Sequence, residues 1–251
     1  MRLLILSDIH ANWDALQAVL RHVRRKRTDR VAFLGDAVGY GASPNAVLNW
    51  LHGLGPGVTI VRGNHDRVCS GLDSGEYFNR YAREASSWTL ERLDERNLEF
   101  LRSFPEGPAE LDSELAICHG SSLDEDVYIF SIYDAQQAFH TLPHRVILFG
   151  HTHVPTLFSL RTVDGQPSIS ARLLSGKRTV VNLEPDVRYL INPGSVGQPR
   201  DRDPAAAYAI YDDRLHRVYA YRVPYKVTEA RRRIIQAGLP PVLGDRLLHG
   251  A

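Results

Sequence analysis

Short runs rich in Leu, Ile and Val recur along the N-terminal part of the chain, and each stops on the same kinds of polar residue. The runs are Arg2–Leu6, Arg30–Leu34, Val58–Val61, Glu114–Ile117 and Arg145–Phe149. Continuous apolar runs of this length read as strands buried on both faces. Between them lie segments of helical period: Trp13, Leu16, Val19, Leu20 and Val23, then Ala46, Val47, Trp50 and Leu51 after the Ser43-Pro44 start signal. This alternation of strand and helix specifies an α/β fold.

What closes the runs narrows the reading. Asp8 and His10 follow the first, Asp36 the second, Asn64 and His65 the third, His119 the fourth, and His151 and His153 the fifth. In an open α/β sheet the carboxyl ends of the strands form the ligand crevice, so these loops are expected to converge. A single Asp or His at a strand end is ordinarily a turn former or a helix cap. His151 and His153 by themselves show only that two imidazoles share one face of an extended segment. Recurrence at every one of these strand ends points instead to a shared site. Its oxygen and nitrogen donors suit zinc, manganese or iron better than calcium, and they suffice for two ions. Gly35, Gly63, Gly120 and Gly150 lie beside them, where the backbone must turn sharply or approach a ligand closely.

The stretch 76–104 carries Tyr77, Tyr81, Trp88, Leu93 and Phe100 in a charged background and reads as an inserted helical cap over the sheet. Its aromatics are core residues or, if they face the site, surfaces on which a nucleobase can stack. From Val154 onward, shorter strands separated by Asp164-Gly165 and Ser175-Gly176 predict hairpins of a second, largely antiparallel sheet. The tail, 227–251, returns to helix with a break at Pro240-Pro241. No repeat or linker divides the chain, so residues 1–251 read as one domain.

Composition excludes several classes. Hydrophobic residues make up 43% and charged residues 24%, as in ordinary globular proteins. A formal net charge of +1 argues against a surface built mainly to grip nucleic acid. The basic run from Arg21 to Arg30 reads first as cations at a helix C-terminus. Cys69 and Cys118 are too few for a disulfide scaffold, Cys118 reads as a small core residue, and a reducing compartment such as the cytoplasm fits. The N-terminal apolar stretch meets Asp8 too early for a signal sequence, and no run approaches the roughly 20 residues that span a bilayer.

Together the segments Asp8-Ile-His10, Gly35-Asp36, Gly63-Asn64-His65-Asp66, His119-Gly120 and Gly150-His151-Thr-His153 resemble the ordered motif set of the calcineurin-like metallophosphoesterases. The resemblance implies a four-layer α/β/β/α sandwich of two mixed sheets with a dinuclear site. Carried over by motif, one metal is held by Asp8, His10, Asp36 and His153, and the other by Asp36, Asn64, His119 and His151. Asp36 bridges them, donating one oxygen to each. His65 resembles the catalytic histidine of the family. The implied chemistry is hydrolysis of a small phosphodiester, phosphomonoester or dinucleoside polyphosphate by a metal-bridging hydroxide, with a protonated His65 donating to the leaving oxygen.

The protein Ser/Thr phosphatases of that superfamily carry Asp-Arg-Gly where this chain has Gly39-Tyr40-Gly41. A guanidinium clamp cannot be supplied by Tyr40, and His65 loses its orienting Asp. Gly39-Tyr40-Gly41, with Asn192-Pro-Gly-Ser-Val-Gly-Gln-Pro-Arg200, is more similar to the bacterial phosphodiesterase and diadenosine-tetraphosphatase-like branch. Arg200 can replace the phosphate contact if its loop folds back; otherwise it is an exposed loop charge. Asn12 either hydrogen-bonds substrate or caps the helix beginning near Trp13. The alternatives are a phosphoprotein phosphatase, a dinuclear nuclease with a long basic groove, and a non-catalytic interaction module. The last is expected to have lost ligands, and none is lost here. The expected partner is a small, nucleotide-like phosphorylated substrate.

Overall fold

The computed structural model describes residues 1–251. Its strands form two six-stranded sheets. In spatial order the first sheet contains β3 (Val58–Ile60), β2 (Arg30–Phe33), β1 (Arg2–Leu6), β11 (Ala206–Asp212), β12 (Arg217–Val223) and β9 (Arg178–Asn182). The second contains β4 (Ala109–Glu110), β5 (Leu115–Ile117), β6 (Val146–Leu148), β10 (Arg188–Asn192), β7 (Thr156–Val163) and β8 (Gln166–Leu173). Both are mixed. β1, β2 and β3 run parallel while β11 joins β1 antiparallel, and β5, β6 and β10 run parallel while β7 joins β10 antiparallel.

Period-two alternation within buried strands creates the layers. Leu3 and Ile5 point inward and meet Ile117, Leu148 and Ile191 between the sheets. Leu4 and Leu6 point outward against Leu16 and Val19 of α1 (Trp13–Val23) and Val47 and Leu51 of α2 (Pro44–Gly53). Ile147, Phe149 and Leu190 of the second sheet face outward onto Ala135 and Phe139 of α6 (Ile132–Thr141). Helix, sheet, sheet and helix follow in order, which is the expected α/β/β/α sandwich. Fully burying each of these Leu or Ile side chains contributes about 1.5–3 kcal/mol, and Leu16→Ala would cost about 2–5 kcal/mol.

The remaining helices are α3 (Asn64–Cys69), α4 (Arg80–Arg92), α5 (Glu95–Arg102), α7 (Val227–Gln236) and α8 (Pro241–His249). Within the 76–104 stretch, Phe100 and Leu101 pack on the outer core of the first sheet. Ala82 and Ala85 of α4 pack against Ile234 of α7 and Leu243 and Leu247 of α8, with Tyr40 in the same cluster. The two tail helices thereby brace the cap and reach the edge of the loops after β1 and β2.

Two features depart from the sequence reading. Asp164-Gly165 turns the β7–β8 hairpin as expected. Ser175-Gly176 does not join neighbours: it carries the chain from β8 in one sheet to β9, which pairs with β12 in the other. The strands after Val154 are therefore shared between both sheets and do not form a separate antiparallel one. Turn chemistry marks where a chain reverses, and burial of the inward faces decides which sheet receives it. Helix α6 was not anticipated either. Its signal is a capping box in which Ser131 Oγ accepts from Asp134 N–H at 3.2 Å and Asp134 accepts from Ser131 N–H at 2.8 Å.

Candidate metal centre

The parallel strands of both sheets end on the same edge of the sandwich. Asp8 and His10 follow β1, Asp36 follows β2, Asn64 and His65 form the first turn of α3, His119 follows β5, and His151 and His153 follow β6. All are buried, none more than 6% exposed. Asp8, His10, Asp36 and His153 form one group and Asp36, His119 and His151 a second, with the ligand atoms of each within 4.8 Å of one another.

The spacing within each group suits one cation. His10 and His153 approach Nε2 to Nε2 at 3.1 Å. His153 Nε2 lies 3.3 Å from Asp8 Oδ1, and His10 Nε2 lies 3.5 Å from Asp36 Oδ2. Donors bound to one ion at about 2.0–2.2 Å stand roughly 3–4 Å apart. In the second group His119 Nε2 is again 3.5 Å from Asp36 Oδ2. Asp36 Oδ1 already accepts the His65 backbone N–H at 2.9 Å. Asp36 Oδ2 thus stands 3.5 Å from a histidine of each group.

Unsatisfied polarity gives the strongest test of fit. Both carboxylate oxygens of Asp8, Asp36 Oδ2, Asn64 Oδ1 and His119 Nε2 are buried without a hydrogen-bond partner. Leaving a buried polar atom unpaired costs about 1–3 kcal/mol, more when it is charged. Their convergence on one place fits a site for cations.

Each imidazole is fixed through its other nitrogen. His10 Nδ1 donates to the Val38 carbonyl at 3.0 Å, His119 Nδ1 to that of Leu34 at 2.6 Å, and His153 Nδ1 to that of Gln198 at 2.6 Å. His151 is turned the other way, its Nε2 donating to the Asp126 carbonyl at 3.1 Å and leaving Nδ1 toward Asp36 and His119. Such bonds set the tautomer and aim the free nitrogen. Burial holds His10 and His153 well below the ordinary imidazole range and pushes His151 down to about 3, so all three present neutral lone pairs. His119 is opposite: burial lowers it, but the Asp36 charge 3.5 Å away outweighs that and raises it to about 10.

The backbone is strained here. Asp8, His10, Asp36, His151 and His153 have φ between 47° and 64°, a left-handed conformation costing on the order of 1–3 kcal/mol for a non-glycine residue. Sequence reasoning missed what over-determines it. Asp66 Oδ2 accepts from Asp36 N–H at 2.8 Å and Gly63 N–H at 3.1 Å, while its Oδ1 accepts from Ala37 N–H at 2.8 Å. Gly63 is required there, because a Cβ would come within 2.2 Å of Asp36 Oδ1. Ser195 Oγ donates to the Asp8 carbonyl at 2.8 Å, and Asn192 Nδ2 to that of Gly150 at 2.6 Å, which gives the Asn192–Arg200 loop a clamping role. The available signals were the fourth residue of Gly-Asn-His-Asp, at the third helical position of α3, and the polar side chains of the second loop.

His65 has no carboxylate orienter. Its ring lies among Tyr40, Phe78 and His10 at centroid distances of 4.4, 4.5 and 5.0 Å. A Cβ on Gly39, which has φ +86°, would stand 2.7 Å from its Nδ1. Burial pushes His65 down to about 4. Asn12 caps α1, accepting from Ala15 N–H at 3.1 Å, and its amide nitrogen donates to Gly197 and Tyr225 at 2.8 and 3.1 Å. Both amide hydrogens of Asn12 are therefore committed within the protein. The Arg200 loop does fold back: Arg200 N–H donates to the His153 carbonyl at 3.3 Å, its Nε is buried without a partner, and its charge depresses His10, His65 and His153.

A model of the calcineurin-like phosphoesterase superfamily domain matches residues 1–214. The chain belongs to that superfamily. This phosphoesterase, a metal-dependent hydrolase by family, is 35% identical over 250 residues to an uncharacterized protein of Methanocaldococcus jannaschii, covering 98% of this chain and 97% of that one. The crystal structure of a metallophosphoesterase from Sphaerobacter thermophilus is similar over 100% of both chains, with 36% identity and a TM-score of 0.85. Over 117 residues, 46% of this chain and 41% of the other, the phosphoesterase is 29% identical to a symmetrical bis(5'-nucleosyl)-tetraphosphatase of Salmonella arizonae. No helix is long and apolar enough to cross a membrane.

Proposed function

We propose that the phosphoesterase is a dinuclear hydrolase of small, nucleotide-like phosphodiesters or dinucleoside polyphosphates, with residues 1–251 acting as one catalytic domain. The observation that carries this is the convergence of unpaired, buried donor atoms from Asp8, Asp36, Asn64 and His119. Asp8, His10, Asp36 and His153 would hold one divalent ion, and Asp36, Asn64, His119 and His151 the other. Manganese, iron or zinc matches the donor set. His119 must release its proton to bind, so metal affinity falls with acid. When bound, two such cations polarise phosphoryl oxygens and lower the pKa of a water toward about 7.

The chain supplies the rest. His65 is held by rings on three sides and offers one N–H to a phosphoryl or leaving oxygen. A phosphate anion beside it raises its proton affinity, which burial had lowered. Arg200 provides a fixed positive charge that needs no reorganisation as negative charge develops. The absence of an Arg at Tyr40, and the partial likeness to a tetraphosphatase, favour small substrates over phosphoproteins. The test is a turnover panel with manganese: an aryl phosphate, bis(p-nitrophenyl) phosphate, diadenosine tetraphosphate and a phosphopeptide, together with elemental analysis. About two metals per chain and preference for the diester or dinucleotide are expected. A preference for phosphopeptide, or full activity with one metal or none, overturns the reading.

A further inference from the structure

Beyond the metal centre the surface opens in two steps. A cavity of about 210 Å³ adjoins it, walled by His65, Tyr77, Asp126, Tyr128 and His151. A second, of about 400 Å³, is bounded by Arg80 and Tyr81 at the start of α4 and by Leu243 and Arg246 of α8. Tyr40 and Asn79 line both, so the two adjoin.

The chemistry of the outer cavity is one-sided. No carboxylate lines it. The Arg80 guanidinium makes no ion pair, and Arg246 uses only its Nε, to the Ala251 carbonyl at 2.7 Å. The inner cavity's carboxylate, Asp126, is paired with Arg67 through Oδ2 at 2.6 Å. Arg246 is close enough to Arg200 for the two like charges to interact, and Tyr40 lines the same cavity. A string of cations therefore runs from Arg200 beside the metal ligands to Arg246 and Arg80. Tyr81, 45% exposed, offers an aromatic face next to them.

We propose that this outer cavity binds the nucleoside phosphate lying beyond the scissile bond, with Arg80 and Arg246 on phosphate oxygens and Tyr81 against the base. The volume falls within the usual range for a small-ligand site. Planar guanidinium groups suit phosphate, and an exposed tyrosine ring stacks on any base. The proposal rests on the reading of the neighbouring site as a nucleotide-directed phosphoesterase, but its test does not need turnover.

The probe is ADP, titrated by calorimetry into the metal-loaded protein, with inorganic phosphate titrated in parallel. Arg80→Ala and Arg246→Ala should each weaken ADP by roughly 10- to 100-fold, the range for a charge-assisted hydrogen bond, and weaken inorganic phosphate much less. Tyr81→Ala should weaken ADP but not inorganic pyrophosphate. Arg80 is exposed, so its variant is expected to fold, and its thermal midpoint checks this. Equal losses for ADP and phosphate, or unchanged ADP binding in the double arginine variant, overturn the subsite. Arginine-dependent ADP binding in a protein that does not hydrolyse dinucleoside polyphosphates would remove the proposed substrate and keep the subsite.

Discussion

The floor of the site and its rim are built on different principles. On the floor, every side chain is buried, the backbone is strained, and each imidazole is locked by a carbonyl. On the rim, Tyr77, Tyr81, Tyr128 and Phe130 are exposed, and Arg80 makes no pair. Preorganisation of the floor suits chemistry whose geometry must be fixed before substrate arrives. The rim's open aromatic and basic surface suits recognition of a ligand that brings its own charge. Variants that separate the two regions should lose different things.

The largest effect should come from the atom that both groups share. Asp36→Ala removes Oδ2 and also the acceptor of the His65 N–H. Turnover should fall on the order of 10⁴-fold or more, since metals supply several kcal/mol of transition-state stabilisation. Elemental analysis should find both ions depleted, and retention of both would remove Asp36 from its bridging role. Chelation of the wild-type protein probes the same floor. Each ion held at about 100-fold above its dissociation constant contributes about 2.7 kcal/mol, so stripping it lowers the thermal midpoint by about 5–10 °C for a chain of this size. An unchanged midpoint after verified metal removal would mean that the unpaired donors are tolerated without cations.

His65→Ala should come next, lowering turnover by roughly 10² to 10⁴ while leaving metal content nearly unchanged. The loss should shrink with an activated aryl phosphate, whose leaving group needs little proton donation. If a metal is lost instead, His65 belongs to the floor as a support rather than to the chemistry.

Legibility in the sequence follows the same division. Asp8, His10, Asp36, Asn64, His119, His151 and His153 could be picked out because each follows an apolar run within a few residues, and strand ends of parallel sheets gather by topology. Pairing of those strands was implied by their continuous apolar character. The destination of β9 was not, because Ser175-Gly176 encodes a reversal and not a sheet. Asp66 stood inside a quoted motif, yet its bonds to Asp36 and Ala37 depend on how α3 sits beside the β2 loop. Tyr40, Arg80, Tyr128 and Arg246 come from distant segments with no common spacing, so only packing of α4 against the tail helices reveals the groove.

Arg67→Ala tests a support between floor and rim. Arg67 donates to Glu125 at 2.6 Å, Asp126 at 2.6 Å, Asp73 at 3.1 Å and the Tyr77 hydroxyl at 2.7 Å. Glu125 is buried and also held by Arg62 at 3.1 Å. The network fixes the segment whose Asp126 carbonyl accepts from His151. Loss of such an outer partner typically costs 10–100-fold in metal affinity or activity. The readout is the affinity of the more weakly held ion by calorimetry, with Arg67→Lys expected to recover only part of it because one ammonium cannot span all these acceptors. Unaltered affinity would show that the His151 carbonyl contact does not need the network.

The smallest expected effect belongs to Tyr128, the rim residue that touches the floor most closely. Its ring stacks on His151 at 3.9 Å with 20° between planes, and Phe130 stacks on it in turn at 5.1 Å. Tyr128 is 41% exposed, so part of the stacking gain is shared with water. An aromatic pair is worth about 0.5–1.5 kcal/mol beyond area burial, and His151 keeps its carbonyl bond when the ring is removed. Tyr128→Ala should therefore weaken the second metal by about 2- to 10-fold, less than Arg67→Ala, and Tyr128→Phe should leave it within error. That ordering is what a floor fixed by hydrogen bonds and a rim fixed by packing require. If Tyr128→Ala cost as much as Arg67→Ala, stacking would be part of the lock on His151, and the boundary between the two regions would have to be drawn outside Tyr128.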